Sequence, residues 1–153
     1  GTIDRIDAPD SSTPLNSTLS TLNSPIRIVD YKTGGADLEF ASVASLFDPT
    51  NNNRNGYALQ TILYAILYGR SSDTDNVVIE PHIYGVRLLA TGSDTAVHEK
   101  GQDSVDVRAI EEEFMGYIRK LISEIRDPQN AFPCTDDDFN KCSKCAFAKL
   151  CGK

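Results

Sequence analysis

The chain of 153 residues is poor in positive charge, in histidine and in long apolar runs. Its 15 lysines and arginines face 22 acidic residues, a net charge of −7, which argues against a general basic DNA coat because nonspecific affinity comes from neutralised phosphates. The longest apolar stretch, residues 58–67, is interrupted by Gln60 and Thr61, so no membrane span is expected. The two histidines, His82 and His98, have no acid or cysteine at a ligand spacing, and we interpret both as surface or strand-packing residues. Carboxylates, lysine and cysteine remain as the candidate functional groups.

The composition is otherwise that of an ordinary globular protein. Hydrophobic residues make up 40% of the chain and charged residues 24%, which suits a single buried core. Since no segment resembles a signal peptide or a membrane span, we expect a cytoplasmic protein. We expect a core over residues 1–130 and a cysteine-rich tail over residues 131–153. Because the chain starts directly on a motif, we also expect a domain of a longer protein.

An apolar strand, Ile26 to Gly34, ends in an acid and a lysine. Because successive side chains of a strand point to opposite faces, Asp30 and Lys32 emerge on the same face. Taken alone, the two charges can be a plain ion pair. A short β-branched run at the start of the chain carries a second acid, Asp4. If this run pairs beside the first strand, the two carboxylates converge and need a cation between them or a proton on one of them.

The remaining segments alternate between helical and strand patterns. Residues 57–68 are apolar almost all round, which predicts a buried helix that ends at Gly69. Residues 106–126 repeat apolar side chains every three or four positions, which predicts an amphipathic helix. Residues 77–89 predict a further strand, with Pro81 at an edge or a bulge. The order of elements predicts an α/β fold, a mixed central β-sheet flanked by helices.

Four cysteines lie within the last twenty residues: Cys134, Cys142, Cys145 and Cys151. In a cytoplasmic protein, such a group indicates metal or cluster ligation before disulfides. Four thiols suffice for a tetrathiolate site, which can hold either a [4Fe-4S] cluster or Zn²⁺. Unligated buried thiols are the alternative.

Several sequence blocks together resemble the PD-(D/E)XK nuclease superfamily, and within it the RecB/AddB-type exonuclease domains. The blocks are Gly-x-x-Asp-Arg-x-Asp from Gly1, Asp-Tyr-Lys-Thr-Gly from Asp30, Gln60-x-x-x-Tyr64, and Cys142-x2-Cys145-x5-Cys151. They occur in the order of that family and span nearly the whole chain. The fold implied is the restriction-endonuclease-like fold. Because members of the family usually carry a further metal-facing His or Glu on a helix before the first strand, the resemblance also implies that the core of residues 1–130 lacks an upstream helix. Three C-terminal cysteines are typical of its iron-sulfur members, whose fourth ligand lies far upstream, so Cys134 is either a substitute or incidental.

The resemblance implies a metal-dependent deoxyribonuclease. Asp4 and Asp30 would hold one or two Mg²⁺ or Mn²⁺ ions, with the backbone carbonyl of Tyr31 completing the coordination sphere. Lys32 would orient or deprotonate the attacking water. Gln60 and Tyr64 would contact the site or the DNA backbone, although a Gln and a Tyr on a buried helix can also be ordinary hydrogen-bonded core groups.

Two functions follow from these features. The first is a DNA exonuclease domain that works with a helicase domain or subunit in DNA repair and recombination. The alternative is a catalytically idle nuclease fold that binds DNA ends or serves as a scaffold. The intact Asp4, Asp30 and Lys32 favour the enzyme. A third interpretation, a zinc-stabilised interaction domain, requires Asp4 and Asp30 to lie far apart.

Overall fold

The computed structural model describes residues 1–8, 24–51, 54–71, 74, 77–85, 94–130 and 145–151. The chain forms two compact units, Gly1–Ile118 and Arg119–Lys153. The strands of the described ranges are β1 (Arg5–Asp7), β2 (Ile26–Lys32), β3 (Glu39–Phe40), β4 (Ile79–Gly85) and β5 (His98–Glu99). The α-helices there are α1 (Gly56–Ser71) and α2 (Val107–Arg126), and two 3-10 helices cover Ala44–Leu46 and Ala148–Cys151. No helix within these ranges is long and apolar enough to span a membrane.

The central sheet has three strands in the order β1-β2-β4. β1 runs antiparallel to β2, with Arg5 opposite Val29, and β4 runs parallel to β2, with Ile83 beside Asp30. β3 and β5 form a separate parallel pair. The sheet is therefore mixed and combines with two helices, which confirms the predicted α/β fold.

Helix α1 packs on one face of this sheet, against β2 and β4. Its buried Ile62 and Ile66 join Ile28 of β2 and Ile79 and Ile83 of β4 in the hydrophobic core, where all five side chains are at most 1% exposed. Burial of a side chain of this size contributes roughly 1.5–3 kcal/mol. The core therefore holds α1 across the strands. As a result, the polar residues on the same face of the helix lie near the strand ends.

The predicted end of α1 at Gly69 is wrong, because the helix continues through Gly69 to Ser71. A Cβ built at Gly69 would lie 2.9 Å from Cδ1 of Ile79. The glycine therefore allows α1 to approach β4 closely and does not act as a helix stop. The sequence signal is the same for both roles, which explains the error.

His82 lies in β4 and is 4% exposed. Its Nδ1 is 2.9 Å from the Thr95 hydroxyl, and its Nε2 is 3.4 Å from the carboxylate of Glu80. Burial lowers the pKa of His82 below its usual value, which favours the neutral ring. The burial of His82 within β4 and its two side-chain partners suit the strand-packing role expected of it.

Helix α2 matches the predicted amphipathic helix to within one residue. In the first unit, Phe114 is fully buried and its ring lies 5.1 Å from that of Phe47, which also stacks on Tyr117 at 5.1 Å. In the second unit, the helix exposes Leu121, Ile122 and Ile125.

Candidate active site

The carboxyl end of β2 places an acid and a lysine in contact, on the face that α1 covers. Asp30 is 4% exposed, and its Oδ2 lies 2.5 Å from Nζ of Lys32. The alternation of β2 explains the arrangement, since Ile28 enters the core on the same face while Tyr31 points to the other. The hydrophobic residues before Asp30 thus hold its carboxylate in a buried position at the sheet end.

The Oδ2 atom of Asp30 lacks a normal hydrogen bond. It is fully buried, and within the described part of the chain no donor meets hydrogen-bond geometry with it, so the close contact with Lys32 is an ion pair only. A buried carboxylate oxygen without a donor is costly unless a cation satisfies it, and here the ammonium group of Lys32 is that cation. Oxygen atoms of this kind are also the ligands that Mg²⁺ and Mn²⁺ prefer, so the chemistry of the carboxylate suits a hard divalent cation that displaces Lys32.

Lys32 has two further partners, both supplied by α1. Its Nζ donates to Oε1 of Gln60 at 3.3 Å and lies 4.7 Å from the centre of the Tyr57 ring. Because an ammonium group can only donate, the Gln60 amide must present its oxygen to Lys32. The ring face attracts the same charge. Lys32 is thus held from three sides, by a carboxylate, an amide oxygen and an aromatic ring.

The chain of hydrogen bonds continues from Gln60 to Tyr64. Nε2 of Gln60 donates to the Tyr64 hydroxyl at 3.0 Å, one turn further along α1. A Cβ built at Gly1 would lie 1.9 Å from this hydroxyl. The backbone of Gly1 therefore lies against the Tyr64 hydroxyl, where the series of hydrogen bonds ends. The absence of a Cβ in the glycine of the first sequence block allows this contact.

Asp4 lies one residue before β1. Arg5 pairs with Val29, so Asp4, the residue before Arg5, lies beside the end of β2 that carries Asp30. The exposed carboxylate of Asp4 accepts a hydrogen bond from the Tyr31 backbone N–H at 2.9 Å. The second acid is therefore anchored to the peptide that directly follows Asp30.

The opposite face of the same strand end is formed by side chains that do not contact the Asp30 carboxylate. The Tyr31 ring is 46% exposed and packs edge-on against Tyr84, with ring centres 5.9 Å apart. Arg5 pairs with Asp7 at 2.6 Å. Hydrogen bonds to Tyr31 and Asp7 raise the pKa of Arg5. This ion pair accounts for Asp7 without any catalytic role.

Of the residues singled out from the sequence, the structure connects Asp30, Lys32, Gln60 and Tyr64 in one series of contacts. Sequence reasoning missed Tyr57, although it lies three residues before Gln60 and hence on the same side of the helix. The spacing of three and four between the tyrosines and the glutamine at positions 57, 60 and 64 was the available signal.

Most of the cysteine tail lies outside the described residues, including Cys134 and Cys142. Cys145 is exposed and its thiol is free. Its Sγ accepts a hydrogen bond from the Phe147 backbone N–H at 3.4 Å, and Cys151 ends the last 3-10 helix. An N–H donor at sulfur suits a thiolate ligand.

Comparison with known proteins gives one match. The family model of the PD-(D/E)XK nuclease superfamily matches residues 1–152. No curated protein and no solved structure matches the chain.

Proposed function

Because the chain belongs to the PD-(D/E)XK nuclease superfamily, we propose that it is a deoxyribonuclease that hydrolyses phosphodiester bonds with Mg²⁺ or Mn²⁺ as cofactor. Within the superfamily, we propose a RecB/AddB-type exonuclease domain that works with a helicase in DNA repair and recombination. The order of the four sequence blocks supports this type. The net charge of −7 supports a partner that supplies the positive charge for gripping DNA.

The buried carboxylate of Asp30, whose Oδ2 lies against Nζ of Lys32 and whose following peptide anchors Asp4, carries this proposal. An ion pair that only stabilised the fold would not require the lysine to be held by Gln60 and Tyr57 as well. Asp30 and Asp4 are the acids that would hold the cation, and the Tyr31 carbonyl is the proposed backbone ligand. The bound cation would supply positive charge for the nonbridging phosphate oxygens and for activation of the attacking water.

The residues around Asp30 have separable roles in the hydrolysis. Lys32 orients the attacking water through a hydrogen bond from Nζ and offsets the negative charge that develops on the phosphate. Gln60 fixes the direction of Nζ through Oε1. Since Tyr64 accepts from Gln60, its own O–H group is the donor at the end of the series and is directed at the DNA backbone or at water. Burial of Asp30 excludes bulk water and strengthens each of these interactions.

Cleavage of end-labelled DNA tests the proposal. Linear DNA should be degraded with Mg²⁺ or Mn²⁺ and left intact with a chelator, and a covalently closed circle should resist because an exonuclease needs an end. Binding of DNA ends without any cleavage, with or without a helicase partner, would support the idle nuclease fold. A chain that neither binds nor cleaves DNA would contradict both functions.

The contact between Gly1 and Tyr64 gives a first prediction. Gly1→Ala should displace the Tyr64 hydroxyl, since the new Cβ would lie 1.9 Å from it, and should break the hydrogen bond from Gln60. Loss of one such bond costs about 1 kcal/mol, so we expect a decrease of about fivefold in the cleavage rate. Gly34→Ala is the matched control, because nothing lies within 4 Å of a Cβ built there. Equal rates for the two variants would contradict the role assigned to Gly1.

We further propose that Cys142, Cys145 and Cys151 bind one metal centre, with Cys134 as a candidate fourth ligand. The centre is a [4Fe-4S] cluster by resemblance, and Zn²⁺ is the alternative. Support comes from the Cys-x2-Cys spacing and from the free, exposed thiol of Cys145, which accepts an N–H hydrogen bond. With the metal bound, residues 131–153 would form the tail proposed beside the core of residues 1–130.

Cys142→Ser should lower the metal content of the purified protein and make residues 131–153 more sensitive to protease. The reason is that a metal site contributes its binding free energy to the segment that it organises. Anaerobic purification should give a brown protein if the centre is iron-sulfur, and a colourless protein that contains zinc in elemental analysis if it is not. Unchanged metal content and protease resistance in the variant would show that the cysteines are ordinary thiols.

A further inference from the structure

A cavity of 610 Å³ opens beside the candidate active site, at the start of α1. Its lining residues are Asp37, Arg54, Asn55, Gly56, Tyr57 and Gln60. Two of them, Tyr57 and Gln60, are the residues that hold Nζ of Lys32. The cavity is therefore continuous with the groups that would act on the scissile phosphate. Cavities of roughly 300–1,000 Å³ accommodate small-molecule ligands, so this cavity is large enough for one nucleotide.

The wall of the cavity is held in place by Asn55. Its side-chain amide donates to the backbone oxygens of Asp37 at 2.8 Å and Glu39 at 3.1 Å, and its Oδ1 accepts from the Ala58 N–H at 3.0 Å. One side chain thus ties the segment before β3 to the first turn of α1. Asn55 caps the helix and at the same time fixes the opposite wall of the cavity, so the cavity is part of the fold.

Arg54 supplies a positive charge at the cavity. It is exposed, and among the described residues none forms an ion pair with its guanidinium. Asp48, the acid whose charge interacts with Arg54, already accepts two hydrogen bonds from Thr50, at 2.8 and 2.7 Å. The acid of the cavity wall, Asp37, accepts one from the Glu39 N–H at 3.2 Å. As far as the described part of the chain is concerned, Arg54 is therefore available for an external anion, and its planar group suits a phosphate.

Tyr57 connects the cavity to the catalytic lysine. The residue is 46% exposed, while its ring lies 4.7 Å from Nζ of Lys32. An exposed ring at the edge of a groove can stack on an unpaired base or pack against its sugar. A nucleotide in the cavity would therefore contact the residue that helps to position Lys32.

We propose that this cavity binds the nucleotide that flanks the scissile phosphate. Arg54 binds the phosphate of that nucleotide, and Tyr57 packs against its base or sugar. The proposal rests on the proposed nuclease function, because the cavity gains its meaning from the adjacent Asp30 and Lys32. Arg54 acts on binding alone, whereas Tyr57 acts on binding and also, through Lys32, on the chemical step.

Arg54→Ala tests the first part. With a single-stranded oligonucleotide as substrate, we expect KM to rise about tenfold, which corresponds to the loss of one charge-assisted hydrogen bond. The value of kcat should stay within about twofold of the wild type. The salt dependence of oligonucleotide binding, measured in chelator so that no cleavage occurs, should weaken by about 0.7 in the logarithmic slope, the value for one phosphate contact. Arg70→Ala is the matched control: it removes the same charge near the other end of α1, roughly 21 Å along the helix from Gly56, where Arg70 pairs with Glu111 at 2.6 Å.

Tyr57→Leu and Tyr57→Phe test the second part. The leucine variant should raise KM and lower kcat severalfold, because it loses both the stacking surface and the ring that holds Lys32. The phenylalanine variant keeps the ring and should stay within about twofold of the wild type. Thermal unfolding separates this role from a purely structural one, since a structural role would lower the melting temperature of Tyr57→Leu in parallel with its activity.

The outcomes separate this proposal from the proposed function. If the wild type cleaves DNA but Arg54→Ala behaves as Arg70→Ala does, the nucleotide site is wrong and the nuclease remains. If the wild type does not cleave but oligonucleotide binding depends on Arg54 and not on Arg70, the binding site stands and the nuclease fails. Normal kinetics of Tyr57→Leu would remove Tyr57 from the site.

Discussion

Asp30→Asn is expected to lower the rate of DNA cleavage about a thousandfold or more. The substitution keeps the shape of the side chain and removes the charge that would hold the divalent cation. Loss of the cation removes several kcal/mol of transition-state stabilisation, and each 1.36 kcal/mol corresponds to a factor of ten in rate. Single-turnover cleavage of end-labelled DNA with saturating Mg²⁺ measures the effect, and Mn²⁺ affinity measured by calorimetry without DNA should fall in parallel.

The fold should survive this substitution, since Lys32 keeps two of its three partners, Gln60 and Tyr57. Thermal unfolding and circular dichroism check that point. If the variant does not fold, Asp4→Asn gives the same test at an exposed position, where loss of the carboxylate should weaken Mn²⁺ binding without affecting the core. An Asp30→Asn protein that is folded and fully active would remove Asp30 from the site.

Lys32→Met should change cleavage and metal binding in opposite directions. Cleavage should fall about a hundredfold to a thousandfold, the usual range for loss of a group that positions or deprotonates the nucleophile. Mn²⁺ affinity should rise at least about fivefold, because the ammonium group that lies 2.5 Å from Oδ2 of Asp30 competes with a cation for the same oxygen. A misfolded protein would lose both properties, so the opposite changes identify the role of the lysine.

Lys100→Met is the control for Lys32→Met. Lys100 is exposed at the end of β5, and its removal changes the net charge by the same amount. Both cleavage and Mn²⁺ affinity should stay at the wild-type level. If Lys32→Met weakened Mn²⁺ binding, Lys32 would stabilise the metal site and would not compete with the cation for Oδ2 of Asp30. The interpretation of the ion pair would then be wrong.

The alternation of a single strand was sufficient to predict that Asp30 and Lys32 share a face, because the period of a strand is two. The helices were predictable for a similar reason, as their apolar patterns are long. Gly69 was misjudged because helix ends and close helix-strand contacts both favour glycine, and only the position of Ile79 separates the two. Local patterns were therefore sufficient to predict the helices and strands. The role of Gly69, in contrast, depends on its contact with another element, β4.

The site was predictable only in part. The contact of Lys32 with Gln60 and that of Gln60 with Tyr64 join residues that the resemblance indicated, and their roles stay predictions. The position of Tyr57 over the lysine and the burial of the Asp30 carboxylate are properties of distance and burial, which a sequence does not contain. The cavity at Arg54 depends on how the segment before β3 returns to α1, and this is a long-range contact that no local pattern encodes.

The most direct test of the account is the position of Mn²⁺ in crystals of the whole chain, located by its anomalous scattering. The account predicts a peak about 2.0–2.3 Å from Oδ2 of Asp30, with the Asp4 carboxylate as a second ligand and Nζ of Lys32 moved off Oδ2 but still in contact with Gln60. A site without Mn²⁺ at saturating concentration, with Lys32 still paired to Asp30, would show that the two residues form only an ion pair and would contradict the proposed metal-dependent nuclease.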